Sequence, residues 1–255
     1  MERLDSGVKG LDGKIKGGFV KGSVNLVTGK TGTGKTAFCA SFLYAGAQKN
    51  EPGIYVTTEE PEEDIKEDII SMFNWDINEL EKKKLVQFLV LEPVIPIQFD
   101  REEEMGKILK IYVYDLFSKI EKLVKKMKAK RVVIDSTTII EMFIKDDYLR
   151  RVALMKLIND LKKLEITTIV TGTVPEGTDL LSMGGIIEFF VDSVIKLEFL
   201  PIAEEFKRTL TIRKMRRTDH SIFIHPFEIT KSGLKVIEIK WLFKNANWFS
   251  QRLCR

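Results

Sequence analysis

Short apolar runs alternate with longer amphipathic stretches along most of the chain, and this alternation predicts an α/β fold. The runs have the length of buried strands. Several are apolar without interruption, as the central strands of a parallel sheet are. We predict strands over residues 23–28, 53–57, 85–90, 131–135 and 167–171. We predict helices over residues 35–49, 61–73, 102–129 and 147–164.

The pattern changes after residue 190 to polar and apolar residues that alternate, as in 209–215 and 225–230. This period of two predicts a β-rich C-terminal part. Because no repeat or linker interrupts the chain, we expect one domain over residues 1–236 and a basic, aromatic tail over 237–255. The tail could stack on single-stranded bases, anchor on a partner or pack on the domain.

The charge balance argues against a chain that coats nucleic acid over its whole surface. The 41 Lys and Arg exceed the 37 Asp and Glu by four, and residues 239–255 hold that whole excess as Lys240, Lys244, Arg252 and Arg255. Two cysteines exclude a disulfide framework and a four-cysteine zinc site. With no signal pattern and no apolar run near the roughly 20 residues of a membrane span, we expect a cytoplasmic protein that does not act at a membrane.

A glycine-rich segment between a predicted strand and a predicted helix fits the phosphate-loop pattern G-x-x-x-x-G-K-[ST]. Its backbone N–H groups and the helix N-terminus would hold phosphate oxygens. Lys35 would reach the β- and γ-phosphates and Thr36 would ligate Mg²⁺. The choice between ATP and GTP stays open at this point. The predicted nucleotide-binding residues are Gly29, Lys30, Thr31, Gly32, Thr33, Gly34, Lys35 and Thr36.

Carboxylates follow two of the predicted strands. Asp135 ends the strand at 131–135 and would hold Mg²⁺, although it could also be an ordinary turn residue. Glu59 and Glu60 follow the strand at 53–57. If that strand lies beside the loop strand, Glu59 would activate the attacking water with Glu60 assisting it. Both could instead belong to the acidic first turn of the next helix.

Several further motifs occur together with the phosphate loop and in a fixed order. They are RLDSG at 3–7 with GLD at 10–12, the loop at 29–36, YVTTEE at 55–60, VIDS at 133–136, and KMRRTDH at 214–220 before HPFEI at 225–229. From residue 3 to about residue 235 the set resembles the KaiC-like branch of the RecA/RadA ATPase superfamily. It looks like a single-domain KaiC-like protein of the RadA-paralogue type.

The resemblance implies a RecA-like core, with a mainly parallel central sheet flanked by helices, in a ring that is typically a hexamer. ATP would lie between neighbouring subunits, and the paired glutamates would activate water. The resemblance also implies that Lys214, Arg216 and His220 act in trans, as cations offered to the neighbour's γ-phosphate. The alternative is a solvated edge strand, with Lys214 and Arg216 on one face and Arg213 and Arg217 on the other.

Two departures from the family change what we expect of its activity. The family's best-known clock protein phosphorylates an adjacent Ser-Thr pair, and our approximate alignment places Glu188-Phe189 there, so we expect no autokinase activity by that route. The loop at 172–178, where recombinases have DNA-facing loops, contains no Lys or Arg.

Two functions fit these residues. The first is a ring-forming, Mg²⁺-dependent ATPase that acts in or regulates DNA repair or recombination, with single-stranded DNA or a recombinase as partner. The alternative is an ATP-switched regulatory or signalling assembly with slow turnover and no direct DNA role.

Overall fold

Strands and helices alternate along the chain, as the hydrophobic pattern predicts. The computed structural model describes residues 1–91, 102–144, 146–202 and 205–237. In these ranges the strands are β1 (Arg3–Leu4), β2 (Phe19–Val20), β3 (Val24–Gly29), β4 (Gly53–Thr57), β5 (Val86–Val90), β6 (Arg131–Asp135), β7 (Thr167–Thr173), β8 (Ser193–Ile202), β9 (Glu205–Met215), β10 (His225–Thr230) and β11 (Gly233–Val236). The helices are α1 (Lys35–Ala47), α2 (Glu62–Phe73), α3 (Ile77–Lys82), α4 (Glu102–Met127), α5 (Thr138–Phe143) and α6 (Asp147–Lys163).

One nine-stranded sheet organises the fold, in the order β11-β10-β9-β8-β3-β7-β6-β4-β5. The six strands from β8 to β5 are parallel, whereas β9, β10 and β11 pair antiparallel. The prediction of a mainly parallel sheet with helices and a β-rich C-terminal part is therefore confirmed. The strand β3 lies in the middle, where β7 and β8 pair with it on both sides.

The two faces of the sheet carry separate apolar clusters. On one face α1 and α2 pack with the C-terminal strands, around fully buried side chains such as Phe38 and Phe42. On the other face α4 and α6 pack around Leu154 and Leu157. Helices on both faces explain why β3 and β4 are buried at every position.

Local signals set where the helices begin and end. The helix α2 follows Pro61 and carries three acids in its first turn, where the helix dipole favours negative charge. It ends at Phe73 and is followed by Asn74, which adopts a left-handed conformation with φ of 57°. The short helix α3, which the pattern did not predict, begins where the Asp76 side chain accepts a hydrogen bond from Glu79 N at 2.9 Å.

The premise that β4 lies beside the loop strand is wrong. Two strands, β7 and β6, separate β3 from β4. Parallel strands are joined by crossovers, so consecutive strands in the chain need not be neighbours in the sheet. The helix α1 crosses from β3 towards β6 and β4, and this crossing brings the loop close to the ends of those strands.

Two further expectations concern the surroundings of this core. No helix in the described ranges combines the length and the apolar content that crossing a membrane requires. The predicted tail at 237–255 lies outside the described residues, apart from Ile237.

Candidate functional site

The predicted phosphate loop connects the end of β3 to the start of α1. Gly34, the last residue before α1, has a φ of 106°, a conformation that side-chain-bearing residues rarely adopt. Inside the loop the Thr33 hydroxyl donates to Lys30 O at 2.7 Å. The loop backbone therefore turns from strand to helix with the N–H groups of the first turn of α1 uncapped by any side chain.

Lys35 lies folded back over this loop. Its Nζ donates to the carbonyl oxygens of Gly29 at 2.8 Å and of Lys30 at 3.1 Å. Burial lowers the pKa of Lys35, and the negative charges of Asp135 and Glu59 act against that shift. The ammonium group is thus held by two neutral acceptors beside two carboxylates.

Three hydroxyl groups hold the carboxylate of Asp135 at the end of β6. Tyr55 from β4 donates to Oδ2 at 2.5 Å, and Thr36 from α1 donates to the same oxygen at 3.3 Å. Thr171 from β7 donates to Oδ1 at 2.6 Å. Burial raises the pKa of Tyr55 well above its usual value, and the charge of Asp135 adds to the shift.

Tyr55 and Thr171 were not predicted from the sequence as residues of the site. Both are polar residues at positions of continuous apolar strands where the side chain is fully buried. A buried polar group needs a partner, so a polar residue near the carboxyl end of such a strand was the available signal.

The two glutamates after β4 lie next to the end of β6. The Thr58 side chain links the two strand ends, because it donates to Ser136 O at 2.8 Å and accepts from Ser136 N at 3.0 Å. The Ser136 hydroxyl in turn donates to Glu59 Oε1. Burial raises the pKa of Glu60, and the negative charges of Asp135 and other nearby carboxylates contribute to the shift.

A cavity of about 370 Å³ opens beside these glutamates. Its acidic wall is formed by the end of β4 and the first turn of α2, and its apolar wall by Val90 and Leu91. Glu59 and Glu60 therefore lie at an accessible edge of the protein. Glu62 and Glu63 of α2 line the same cavity, so the proposed catalytic pair and the acidic first turn of α2 form one acidic surface.

The predicted trans residues lie away from the phosphate loop of their own chain. Lys214 pairs with Val194 across β9 and β8, whereas Gly29 of the loop pairs with Leu197. The Lys214 ammonium donates to the carbonyl oxygens of Glu188 and Val191, both at 2.8 Å. Burial lowers the pKa of Lys214, and the nearby charge of Arg216 adds to the shift.

The expected alternation of four basic residues along β9 is wrong for the last two. The strand ends at Met215, and Arg217 adopts a left-handed conformation with φ of 59°. Arg216 and Arg217 consequently approach the same carboxylate, Asp192, at 3.9 and 4.0 Å. His220 lies further along the connection, and its Nδ1 is 3.0 Å from Ser221 O.

Two contacts at the loop were not foreseen. The Arg208 side chain of β9 extends to within 3.4 Å of Gly32 O, and its guanidinium group lies over the Phe199 ring. Glu176, in the loop after β7, forms an ion pair of 2.7 Å with Lys30. The segment expected to face DNA in recombinases is thus joined here to the phosphate loop.

Known proteins are similar to this chain over most of its length. A family described as "ATPase: KaiC" matches residues 4–241. A UPF0273 protein of Thermotoga maritima is 32% identical over 247 residues, which cover 92% of this chain and 96% of the relative. The circadian clock protein KaiC3 of Synechocystis is 32% identical over 243 residues, which cover 94% of this chain and 46% of that protein.

A solved structure is similar in the same way. The crystal structure of a KaiC-like protein from the hyperthermophilic archaeon Pyrococcus horikoshii OT3 superposes with a TM-score of 0.77 at 37% sequence identity. The match covers 93% of this chain and 99% of that one. The likeness therefore extends over nearly the whole length of both proteins.

Proposed function

The chain belongs to the KaiC family of ATPases, and from that membership we propose that it hydrolyses ATP with Mg²⁺ at sites formed between copies of itself. One observation carries the proposal. The Lys35 ammonium, the Thr36 hydroxyl, and the carboxylates of Asp135 and Glu59 meet at one edge of the sheet, although they come from three different segments: the start of α1, the end of β6 and the end of β4. Phosphoryl transfer needs this set: a cation for the phosphates, oxygen ligands for Mg²⁺, and an acceptor for a water proton.

ATP binding rests on the loop from Gly29 to Thr36. Its backbone N–H groups and the start of α1 supply positive partial charge for the phosphates. Lys35 now donates to two carbonyl oxygens, and phosphate oxygens are stronger acceptors because they carry charge. Binding therefore exchanges neutral partners of Lys35 for charged ones.

Magnesium fits the residues between α1 and β6. The Thr36 hydroxyl lies 3.3 Å from Asp135 Oδ2, so a hydroxyl and a carboxylate oxygen are adjacent. Magnesium typically takes one or two such protein ligands and keeps waters and phosphate oxygens for the rest of its shell. Within the described ranges there is no cluster of three or more His, Cys, Asp or Glu of the kind a metal cage would use. When bound, Mg²⁺ would neutralise charge on the phosphates.

Glu59 is the proposed general base. The Ser136 hydroxyl fixes one carboxylate oxygen of Glu59, which leaves the other free to accept a proton from water. Glu60 is the proposed assistant, and its pKa is raised first by burial and then by the negative charges of the nearby carboxylates. Repulsion among these groups is relieved when cations arrive with the nucleotide.

The positions of Lys214, near the end of β9, and of Arg216, just after it, support the proposed trans role. Lys214 pairs with Val194 of β8 and Gly29 pairs with Leu197. These two partners are three positions apart, which is about 10 Å along a strand. Both side chains also bond to carbonyl oxygens that precede β8, on the side away from the loop. We therefore propose that they, together with His220, serve a neighbouring copy in a closed ring, with six copies expected from the family.

Slow, ATP-controlled assembly is the biological role that the site favours. The Glu176–Lys30 ion pair occupies the segment that would otherwise face DNA, and residues 172–178 offer no cation for a phosphate backbone. The role in DNA repair or recombination rests on the resemblance alone. Turnover that is unchanged by saturating single-stranded DNA is expected, and strong stimulation would reverse this choice.

Mixing two inactive variants tests the shared site. Glu59→Gln should abolish turnover but leave Lys214 intact. Lys214→Ala should abolish turnover but leave Glu59 intact. In a random equimolar ring, about one interface in four combines an intact Glu59 with an intact neighbouring Lys214. Turnover should therefore recover to about a quarter of the wild-type rate per subunit.

The matched control mixes Glu59→Gln with Lys35→Ala. Both changes damage the same side of the interface. Every subunit in that mixture lacks either the base or a working loop, so no interface has both. Equal recovery in both mixtures, or none with Lys214→Ala, would refute the trans arrangement. Undiminished hydrolysis by Glu59→Gln alone would refute the choice of base.

A further inference from the structure

Six lysines gather at the edge of the sheet that is opposite the phosphate loop. We call them the lysine edge, and they are Lys82, Lys84, Lys122, Lys126, Lys128 and Lys130. All six are exposed. They come from the end of α3, the last turns of α4 and the turns that lead into β5 and β6.

Strand pairing brings these turns together. Gly53 at the start of β4 is paired with Val86 of β5 on one side and with Arg131 of β6 on the other. The Pro52 carbonyl accepts from Lys130 N at 2.7 Å. Lys84 and Lys130 therefore flank one strand, with backbones about 10 Å apart at the usual spacing of strands.

The lysine edge is not neutralised by its surroundings. Within the described ranges none of the six ammonium groups has a carboxylate within 4.0 Å, whereas nearby Lys83 and Lys125 pair with Glu79 and Glu121. The acid Glu51 is already paired with the buried Arg131. Two exposed carboxylates in this region form no ion pair among the described residues: Glu165, in the turn before β7, and Asp76, at the start of α3.

The backbone conformation of the turns at Lys84 and Lys128 does not explain why lysine occupies these positions. Lys84 and Lys128 have φ of 58° and 53°, in the left-handed region. Asparagine and glycine adopt this conformation more readily, and asparagine does so at the equivalent turn before β4, at Asn50. Other side chains accept a cost of about 1 kcal/mol there, which the turn itself does not require.

The surroundings of the lysine edge decide what kind of polyanion fits it. No large apolar side chain is exposed among the described residues 78–89 and 118–135. Stacking on single-stranded bases requires aromatic groups, and insertion into a membrane requires an apolar face. A repeated, rigid array of phosphates requires only cations.

We propose that the lysine edge binds the phosphate backbone of duplex nucleic acid, without reading its sequence. The surface is separate from the nucleotide site, because the five residues of β6 lie between Lys130 and the end of the strand at Asp135. Binding therefore does not depend on ATP hydrolysis, and the two proposals can fail independently.

The test measures binding of the full chain to a fluorescent 24-base-pair DNA duplex by anisotropy, without nucleotide, between 50 and 200 mM NaCl. If about five phosphates are neutralised, affinity should fall about 500-fold across this range, since log K changes by about 0.9 per phosphate for each tenfold change in salt. Lys84→Gln combined with Lys130→Gln should weaken binding at least tenfold and reduce the salt slope by about 1.8.

The control variant carries Lys9→Gln and Lys235→Gln, two exposed lysines near β11 that remove the same charge from another surface. It should bind the duplex as the wild type does. Both variants should keep the wild-type unfolding midpoint and ATP turnover. Equal weakening by both variants, no binding at 50 mM salt, tighter binding of single strands, or displacement of the duplex by polyglutamate of equal charge would each overturn the proposal.

Discussion

Replacing Tyr55 by phenylalanine removes one of the three hydroxyls that hold the Asp135 carboxylate. The ring of Tyr55 is fully buried, so phenylalanine fills the same space. The lost hydroxyl lies 2.5 Å from Asp135 Oδ2, and that oxygen keeps only the longer bond from Thr36 at 3.3 Å. Thr171 still holds Oδ1 at 2.6 Å, so the carboxylate keeps one short bond and is less firmly oriented at the oxygen that would ligate Mg²⁺.

The size of the effect follows from the type of bond. A hydrogen bond to a charged group contributes about 1.5–3 kcal/mol, which is about 10- to 100-fold in an equilibrium constant. Groups that orient a metal ligand have effects of the same order, about 10- to 100-fold in metal affinity. We therefore expect Tyr55→Phe to raise the Mg²⁺ concentration for half-maximal turnover by about 10- to 100-fold, with kcat restored at saturating Mg²⁺ to within about threefold.

The assay is ATP turnover as a function of Mg²⁺ at fixed ATP, with Tyr44→Phe as the matched control. Tyr44 stacks on Trp75 with ring centroids 3.8 Å apart, and its loss of a hydroxyl leaves Asp135 untouched. The control should titrate as the wild type does. A Mg²⁺ midpoint for Tyr55→Phe within twofold of the wild type would refute the claim that this hydroxyl positions the carboxylate. A midpoint that moves equally in the control would refute it too.

Three further outcomes follow from described contacts. Ser136→Ala should lower kcat about 10- to 100-fold with ATP affinity within about twofold, as measured by turnover and nucleotide titration, because it frees Glu59 to leave its position. Gly7→Ala should cost about 3 kcal/mol or more by urea unfolding, since its Cβ would lie 2.1 Å from a carbonyl oxygen of α1, whereas Gly177→Ala, with a similar φ and open space, should cost about 1. Above pH 10 Tyr55 ionises in the unfolded chain, whereas its raised pKa keeps it protonated in the folded protein. The free energy of unfolding should therefore fall with pH by about 1.4 kcal/mol per unit because of this group, and the fall should be less steep in Tyr55→Phe.

Most of the longer elements were predictable from the sequence because each depends on neighbours along the chain, whereas short elements such as α3 and α5 were not. Predicted and observed bounds agree for β4 at 53–57 and differ by two residues at the end of α1. The order of strands was not predictable in this way. The hydrophobic period shows which residues are buried, but it does not show which strands pair. The condition that β4 lies beside β3 could therefore not be checked from the sequence, and the sheet does not meet it.

In the candidate site too, residues within local motifs were predictable and residues brought in by strand pairing were not. The loop and its neighbouring carboxylates follow motifs whose spacing is local. Tyr55, Thr171 and Arg208 belong to strands that meet the loop only in the folded sheet. The local pattern marks Tyr55 and Thr171 as polar residues in apolar strands, but it does not show that Asp135 is their partner. The roles given to Glu59, Lys214 and Arg216 remain predictions, which the mixing experiment addresses.

The position of β3 in the sheet has a consequence for how the chain acquires its structure during synthesis. The partners of β3 are β7 and β8, which begin at residues 167 and 193, so both pairings join segments more than 140 residues apart. Contacts of such long range form late and slow folding. The phosphate loop, although made early by the ribosome, must wait for most of the chain before β3 gains its neighbours. We expect nascent chains that end before residue 190 to leave one edge of β3 open and to depend on chaperones.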